Sequence, residues 1–425
     1  MSRSSARSAP KAYDHPPGYA DVQPGDDWGH TDRRPPKHRR PRYQRRLRGW
    51  LRRFGIASAT AAFLVLVFGA VSVYGAATTA GNQGFKAKWA DWLRGHDAGF
   101  VVNPLERWYY SSQAPARGGQ PRGLNSVPAP AAYPVRPAPP ATVPHLSPPA
   151  PVPLVVSPAL PGEGHWQPTG PMIHGQPGMY VAQFRADTVY TSQLTTAVWI
   201  DPTLLRVRLV PGAQEPGGTW PQPPDIAGAA AAKVVAAFNG GFRMQDAHGG
   251  FYLDGRTAVP LRAGAASMVI FDNGRVNIGT WGSEVSMTPH VEAVLQNLVP
   301  MVDHGQIAPD ATYHDTRIWG NTLGANTVVA RSGLGVTASG ALVYVAGPAL
   351  TAKSLAESLQ RAGAVRAMTL DINPEWVTFN LFTHPDPNDP SQISAAKLYP
   401  EMQRPATRYL GPTPESRDFF TVSTG

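Results

Sequence analysis

The sequence has no cysteine among its 425 residues. Disulfide bridges and thiolate metal sites are therefore excluded, and any exported part must be held together by its own apolar core. A His-Glu-x-x-His zinc signature, a Walker loop and a nucleophile elbow are also missing, which leaves the commonest zinc-protease, nucleotide and serine-hydrolase patterns without support. The His–acid groupings that do occur, Asp303-His304, His314-Asp315 and His384-Pro-Asp386, are not at zinc-ligand spacing, and Asp386-Pro-Asn-Asp389 reads as a solvated turn. No metal and no cofactor is expected.

A charge excess is likewise missing from most of the chain. Up to Arg53 there are 14 Lys and Arg against five acids, and beyond it the two signs balance at 24 each, so the whole net charge of +9 lies in the first segment. A nucleic-acid-binding body loses its main support, and no nucleic-acid partner is expected. Residues 1–53 are rich in Pro, Arg, Ser and Gly with few large apolar residues, the composition of a disordered tail. Its basic end suits anionic inner-leaflet lipid, at about 1 kcal/mol per Lys or Arg near the surface.

Charge is wholly absent from residues 54–75, Phe54-Gly-Ile-Ala-Ser and onward to Tyr74. About 20 such residues cross a bilayer core as a helix. Arg45, Arg46, Arg48, Arg52 and Arg53 crowd its N-terminal flank, which puts the N-terminus in the cytoplasm and everything after the helix outside. The expected localisation is therefore the cell membrane, as a single-pass protein. A cleaved signal peptide is the rival reading, disfavoured by the long polar segment ahead of an apolar run longer than an ordinary signal core.

Past the membrane, residues 76–113 carry Phe85, Trp89 and Trp92 on one helical face, suited to the headgroup zone or to docking on the body. Residues 114–161 are dominated by Pro and Ala, as in Pro134-Val-Arg-Pro-Ala-Pro-Pro140. Such a stretch favours polyproline II and predicts a semi-rigid linker lifting the body from the bilayer.

The body, 162–425, reads as α+β: a mixed β-sheet core with flanking helices and β-hairpins. Ala197-Val-Trp-Ile200 and Leu205-Arg-Val-Arg-Leu-Val210 read as half-buried strands bridged by Asp201-Pro202, and the Ala-rich stretch 225–233 reads as a helix. Asp254-Gly255 and Asn273-Gly274 mark hairpin turns. Thr351 is placed to cap a helix over 352–362 ended by Gly363. The apolar strand Val365-Arg-Ala-Met-Thr-Leu370 follows, and strand, helix, strand in that order predicts a parallel crossover with Asp371 at its carboxyl end.

The densest motif is Asn239-Gly240-Gly241-Phe242, at the exit of the apolar run 234–238. Two glycines after a buried strand leave bare N–H groups able to face an anionic ligand. The same residues also suit a plain strand-to-loop turn.

Taken in order, Ala237-Phe-Asn-Gly-Gly-Phe242, Gly249-Gly-Phe-Tyr-Leu-Asp-Gly255, Arg331-Ser-Gly-Leu-Gly335, Leu342-Val-Tyr-Val345, Leu355-Ala-Glu-Ser-Leu359, Gly363 and Thr369-Leu-Asp371 form a pattern. It resembles the phosphodiester glycosidase family, the uncovering-enzyme-like group that removes N-acetylglucosamine from a phosphodiester, over about 197–379. Two stretches depart from it. Ala346-Gly347-Pro348 stands where the family carries Asp-Gly-Arg, and Ile372-Asn373-Pro374-Glu375 follows Asp371 where the family has three glycines and a serine.

The resemblance implies hydrolysis of sugar-1-phosphodiester linkages in envelope glycans, with a phosphorylated saccharide or wall polymer as partner. Such chemistry needs a carboxylate near the anomeric carbon and cations for the departing phosphate. Asp371 is the first catalytic candidate, as an acid held at the end of an apolar strand, and Glu375 is the second carboxylate. Arg331 suits the phosphate through its planar fork, with Asn239, Gly240, Gly241 and Arg243 as further substrate-binding candidates. His248 and Glu163-Gly-His165-Trp166 rank below them. The alternative is a catalytically inactive member of the same fold that binds a phosphorylated glycan or wall polymer, and a third reading is a purely structural envelope protein.

Overall fold

The computed structural model describes residues 42–79, 84–128, 144–312, 318–319, 327–385, 389, 392–411 and 413–425. Most of the expected tail, His314-Asp315, most of Asp386-Pro-Asn-Asp389 and the middle of the Pro-rich stretch lie outside them. The chain forms two units, 1–66 and 67–425.

Helix α1 (Arg42–Thr78) contains the apolar stretch Trp50–Thr78, 29 residues of mean hydropathy 2.3. At 1.5 Å per residue it is about 43 Å long, against a hydrocarbon core of roughly 30 Å. It is thus long and apolar enough to span a membrane. Helices α2 (Phe85–Gly95) and α3 (Gly99–Ser112) then fold back on one another through Ala90, Leu93, Ala98 and Val102.

The remainder is rich in sheet. Strands β1 (Gln167–Ile173), β2 (Gln176–Phe184) and β3 (Thr195–Ile200) form a meander, and β4 (Leu205–Val210) leaves it for another sheet. After the short helix α4 (Gly228–Ala231) come β5 (Val234–Asn239) and α5 (Met244–Ala247). Strands β6 (Phe251–Leu253), β7 (Arg256–Val259), β8 (Ala266–Phe271), β9 (Val276–Thr280) and β10 (Val291–Gln296) make a five-stranded sheet in the order β7-β6-β10-β8-β9. Next are β11 (Val302–Asp303), β12 (Gln306–Ile307), β13 (Val329–Thr337), β14 (Leu342–Leu350), α6 (Ala352–Arg361) and β15 (Ala364–Thr369). They complete an eight-stranded sheet, β1-β2-β3-β14-β13-β15-β11-β12. Last, β16 (Phe379–Thr383), β17 (Ser394–Lys397) and β18 (Phe419–Thr424) build the third sheet, β17-β16-β5-β18-β4.

The three sheets meet in one core, where Val198, Leu334 and Tyr344, then Phe251 and Met268, then Phe238, Phe379 and Phe420 pack together. The rings of Phe238 and Phe379 stack 5.6 Å apart, and Phe420 stacks on Phe238 at 5.1 Å. On the far face of the eight-stranded sheet α6 buries Leu355 and Leu359, each contributing about 1.5–3 kcal/mol. Its capping box between Thr351 and Ser354 and its stop at Gly363, φ +95°, follow the expected pattern. The two hairpins also form where expected, β6–β7 through Asp254-Gly255 and β8–β9 through Gly274 at φ +85°.

One expectation is met with an inserted strand and three are corrected. The parallel crossover forms as β14–α6–β15, with β13 lying between its two strands and pairing antiparallel with both. The strands run parallel without touching, because order along a chain does not show which strand is inserted between two others. The stretch 225–233 forms only the four-residue α4: Ala227 is extended and Gly228 sits at φ +59°, so a longer helix is never nucleated. Strands β3 and β4 belong to different sheets, and β3 is buried on both faces rather than one. Finally, the described ends of the Pro-rich stretch lie on the body. Asn125 N–H donates to Gln183, Leu146 N–H to Asp201, and Val152 is buried with its N–H on the Gly164 carbonyl. Polyproline II backbone has no internal hydrogen bonds, so its free groups are available to the sheet edges beside it.

Candidate active site

The exit of β5 is fixed by its neighbours, with Phe238 opposite Phe379 of β16 and Asn239 opposite Phe419 of β18. The Asn239 amide is consumed inside the protein. Its Oδ1 accepts from Thr378 N–H and from the Tyr344 hydroxyl, both at 3.1 Å, and its Nδ2 donates to Ser332 Oγ at 3.1 Å and the Gly240 carbonyl at 2.8 Å. It therefore ties β5, β13 and β14 together and fixes Thr378 at the entry to β16. Gly240 and Gly241 do not adopt positive φ; their bareness serves close approach instead. A Cβ on Gly240 would run into the Asp418 carboxylate, and one on Gly241 would sit 3.0 Å from Asn297 Cγ.

Asn297 clamps this loop to the end of β15. It accepts from Phe242 N–H at 3.1 Å and donates to the carbonyls of Thr369 and Leu370 at 2.9 and 2.8 Å. Asp371 follows directly. Ser332 holds its backbone on both sides: the Asp371 N–H donates to the Ser332 hydroxyl, and the Ser332 N–H donates to the Asp371 carbonyl. The carboxylate accepts from Asn373 N–H at 2.8 Å through Oδ1 and faces Arg417 at 3.3 Å through Oδ2. Burial pushes its pKa up to about 6, with Arg417 pulling the other way.

Arg417 lies 3.8 Å over the Trp376 ring, which Arg404 and Arg408 also approach. A ring face attracts cations, and this one cushions three guanidiniums beside the site. The next residue, Asp418, is buried, with no hydrogen-bond partner on either carboxylate oxygen among the described residues. Burial first, and Glu215 second, push its pKa up to about 8. Burial thus favours its protonated, neutral form.

Asp371 and Arg417 open onto a cavity of about 420 Å³. The body side adds Phe242, Arg243, Asp246 and Asn373, and α2–α3 supplies the opposite wall with Asp91, Arg94, Asn103, Glu106 and Tyr110. Arg243 is paired with Asp91 of α2 at 2.5 Å. The chamber thus holds guanidinium groups from both walls and a buried carboxyl poised to change protonation near pH 6.

Of the residues singled out from sequence, Asp371 and Arg243 share this cavity, while Asn239, Gly240 and Gly241 stand behind it as a packed support. Glu375 lines a second cavity of about 390 Å³ next to it and pairs with Arg404 at 3.2 Å. Arg331 is elsewhere. Successive strand residues face opposite ways, so Ser332 points to Asn239 while the Arg331 guanidinium donates to the Leu350 and Thr327 carbonyls. Glu163 is committed to a buried ion pair with Arg185 at 2.7 Å. His248 caps α5 in the left-handed region at φ 48° and is exposed.

Glu284, Asp303 and His304 bring ligand atoms within 4.8 Å of one another. Glu284 is already held by Thr280 N–H and Ser283 Oγ.

Sequence reasoning missed Arg417, Asp418, Asn297 and the α2–α3 wall. The one available signal was the charged run Glu415-Ser-Arg-Asp418 heading the apolar strand Phe419-Phe-Thr-Val422.

Residues 232–371 match the phosphodiester glycosidase family. Asp371 is the last residue of the match. No curated relative matches the chain. Among solved structures, the catalytic domain of zebrafish N-acetylglucosamine-1-phosphodiester alpha-N-acetylglucosaminidase, auto-inhibited by its pro-peptide, is 14% identical, with 59% of this chain and 84% of that one covered at a TM-score of 0.40. A hypothetical protein from Synechocystis is 11% identical over 63% of this chain and 65% of that one, at a TM-score of 0.34.

Proposed function

We propose that this protein is a membrane-anchored hydrolase of glycosyl phosphodiesters, with its N-terminus in the cytoplasm and its body outside, acting on sugar-1-phosphodiester linkages of envelope glycans. The observation that carries the reading is the buried Asp371 carboxyl, paired with Arg417 and opening onto a cavity that also presents Arg243.

In this reading Arg417 and Arg243 face the diester anion, the role that sequence reasoning gave to Arg331. Their guanidinium forks bind phosphate oxygens and stabilise the charge that grows as the C1–O bond breaks. Above about pH 6 Asp371 is a carboxylate, able to stabilise an oxocarbenium-like centre or to take a proton from the attacking water. The phosphate monoester leaves readily, so protonation of the leaving group is less demanding than in an ordinary glycosidase. The apolar length of Trp50–Thr78 and the basic residues before it support the anchor. The basic tail would rest on anionic inner-leaflet lipid.

The test is release of free sugar from a panel of glycosyl phosphodiesters by the full chain in bilayer discs. Asp371→Asn is expected to lower turnover by roughly 10²–10⁴-fold while keeping cooperative unfolding. Saturable binding of a phosphorylated glycan with no turnover anywhere on the panel would support the inactive-member reading instead. Neither binding nor turnover would leave the structural one.

A further inference from the structure

The chamber beside Asp371 does not end at its polar wall. The second cavity, of about 390 Å³, shares Asp91, Arg94, Glu106, Tyr110 and Asn373 with it, so the two adjoin across the same side chains. Its other lining has a different chemistry: Trp89, Ala90, Leu93, Val102, Leu105 and Tyr109 make an apolar trough between α2 and α3. A polar chamber with guanidinium groups running into an apolar trough fits one amphiphilic molecule better than a soluble saccharide, which has no surface to offer the trough.

The trough also lies beside the C-terminal end of the apolar helix. Trp89 Nε1 donates to Ser72 Oγ at 2.9 Å and Lys88 Nζ to the Thr79 carbonyl at 2.8 Å, so α2 is pinned to the end of the apolar helix. Large apolar side chains on the same hairpin remain exposed, including Phe100 at 78%, Trp108 at 70% and Leu105 at 51%. Aromatic residues at this position, with Lys86 and Lys88 beside them, are the composition of a membrane interface.

We infer that the substrate is lipid-linked: a sugar 1-phosphodiester whose second ester is a long lipid alcohol, with sugar and phosphate in the chamber and the lipid chain in the trough. The inference rests on the hydrolase reading above and narrows its substrate class. Water would add its oxygen to C1 as the C1–O bond breaks. The sugar leaves as the free hemiacetal, and the lipid keeps the phosphate as a monoester that takes up the proton balance. The occupant of the trough is a lipid rather than a protein helix because the trough shares a wall with the phosphate chamber and its helix α2 is bonded to Ser72 and Thr79 at the end of the apolar run.

The experiment compares two substrates with the same sugar, one esterified to a long polyisoprenyl alcohol and one to propanol, using the full chain in bilayer discs of zwitterionic lipid. The long-chain diester should be turned over at least 100-fold more efficiently, read as kcat/KM. Membrane partitioning alone would also favour the long chain, so Leu105→Glu is measured alongside. Leu105 is half exposed, and its replacement leaves the core intact. The variant should cut the long-to-short ratio at least tenfold. Dodecyl, octyl and butyl phosphate should inhibit in that order, with up to about fourfold per methylene seated in the trough.

Equal efficiency on both substrates, or a preference that Leu105→Glu leaves unchanged, overturns the lipid-linked substrate while the hydrolase reading stands. Absence of turnover on both substrates overturns the hydrolase reading itself.

Discussion

Replacing Arg417 with Gln tests the electrostatics on which the proposed chemistry depends. The guanidinium lies 3.3 Å from the Asp371 carboxylate and is the largest influence holding its pKa down against burial. An opposite charge at this range lowers a carboxyl pKa by about 1–3 units, so Arg417→Gln should move Asp371 from about 6 to roughly 7–9. At pH 7 the ionised fraction would fall from about nine-tenths to about half or less, and any rate that needs the carboxylate would fall about 2- to 100-fold and recover in alkali. The direct assay is the ¹³C chemical shift of the labelled Asp371 carboxyl as a function of pH, which needs no turnover. Stability should follow with a definite sign. A folded pKa raised from 3.8 to about 6 means that the native state keeps a proton the unfolded chain has lost, so stability falls as pH rises through that window, by on the order of 3 kcal/mol in all. In the variant the falling stretch should extend to higher pH. A midpoint that stays near 6 or drops would refute the pairing as the controlling interaction.

Asp418→Asn mimics the neutral acid, so its stability relative to the parent should climb by about 1.4 kcal/mol per pH unit from the ordinary Asp value to about pH 8, then level off. Urea midpoints across pH check this, and a flat difference would mean that Asp418 ionises normally. Gly240→Ala should cost about 1–3 kcal/mol, since the new methyl meets the Asp418 carboxylate and lies 2.6 Å from its carbonyl oxygen. Gly95→Ala at the end of α2 has nothing within 4 Å and should be neutral or stabilising. Equal urea midpoints for the two alanine variants would sink the close-approach explanation of the Asn-Gly-Gly motif.

What the linear chain determined is what local chemistry and short-range periodicity can specify. The uncharged run ahead of Thr78, the turns at Gly255 and Gly274, the Thr351 cap and the strand that delivers Asp371 all depend on residues a few positions apart. So does the motif series that placed the family likeness, which the match over 232–371 supports. Only the tertiary structure decided which side chains share a cavity. Arg331 and Ser332 are adjacent, yet strand alternation sends one to the Leu350 carbonyl and the other to Asn239. Arg417 reaches Asp371 from 46 residues away, because β18 inserts between β5 and β4. The α2–α3 wall comes from still farther off, through the pairing of Asp91 with Arg243. Contacts across such separations are set by strand insertion and sheet packing, which leave no periodic trace in the residues concerned.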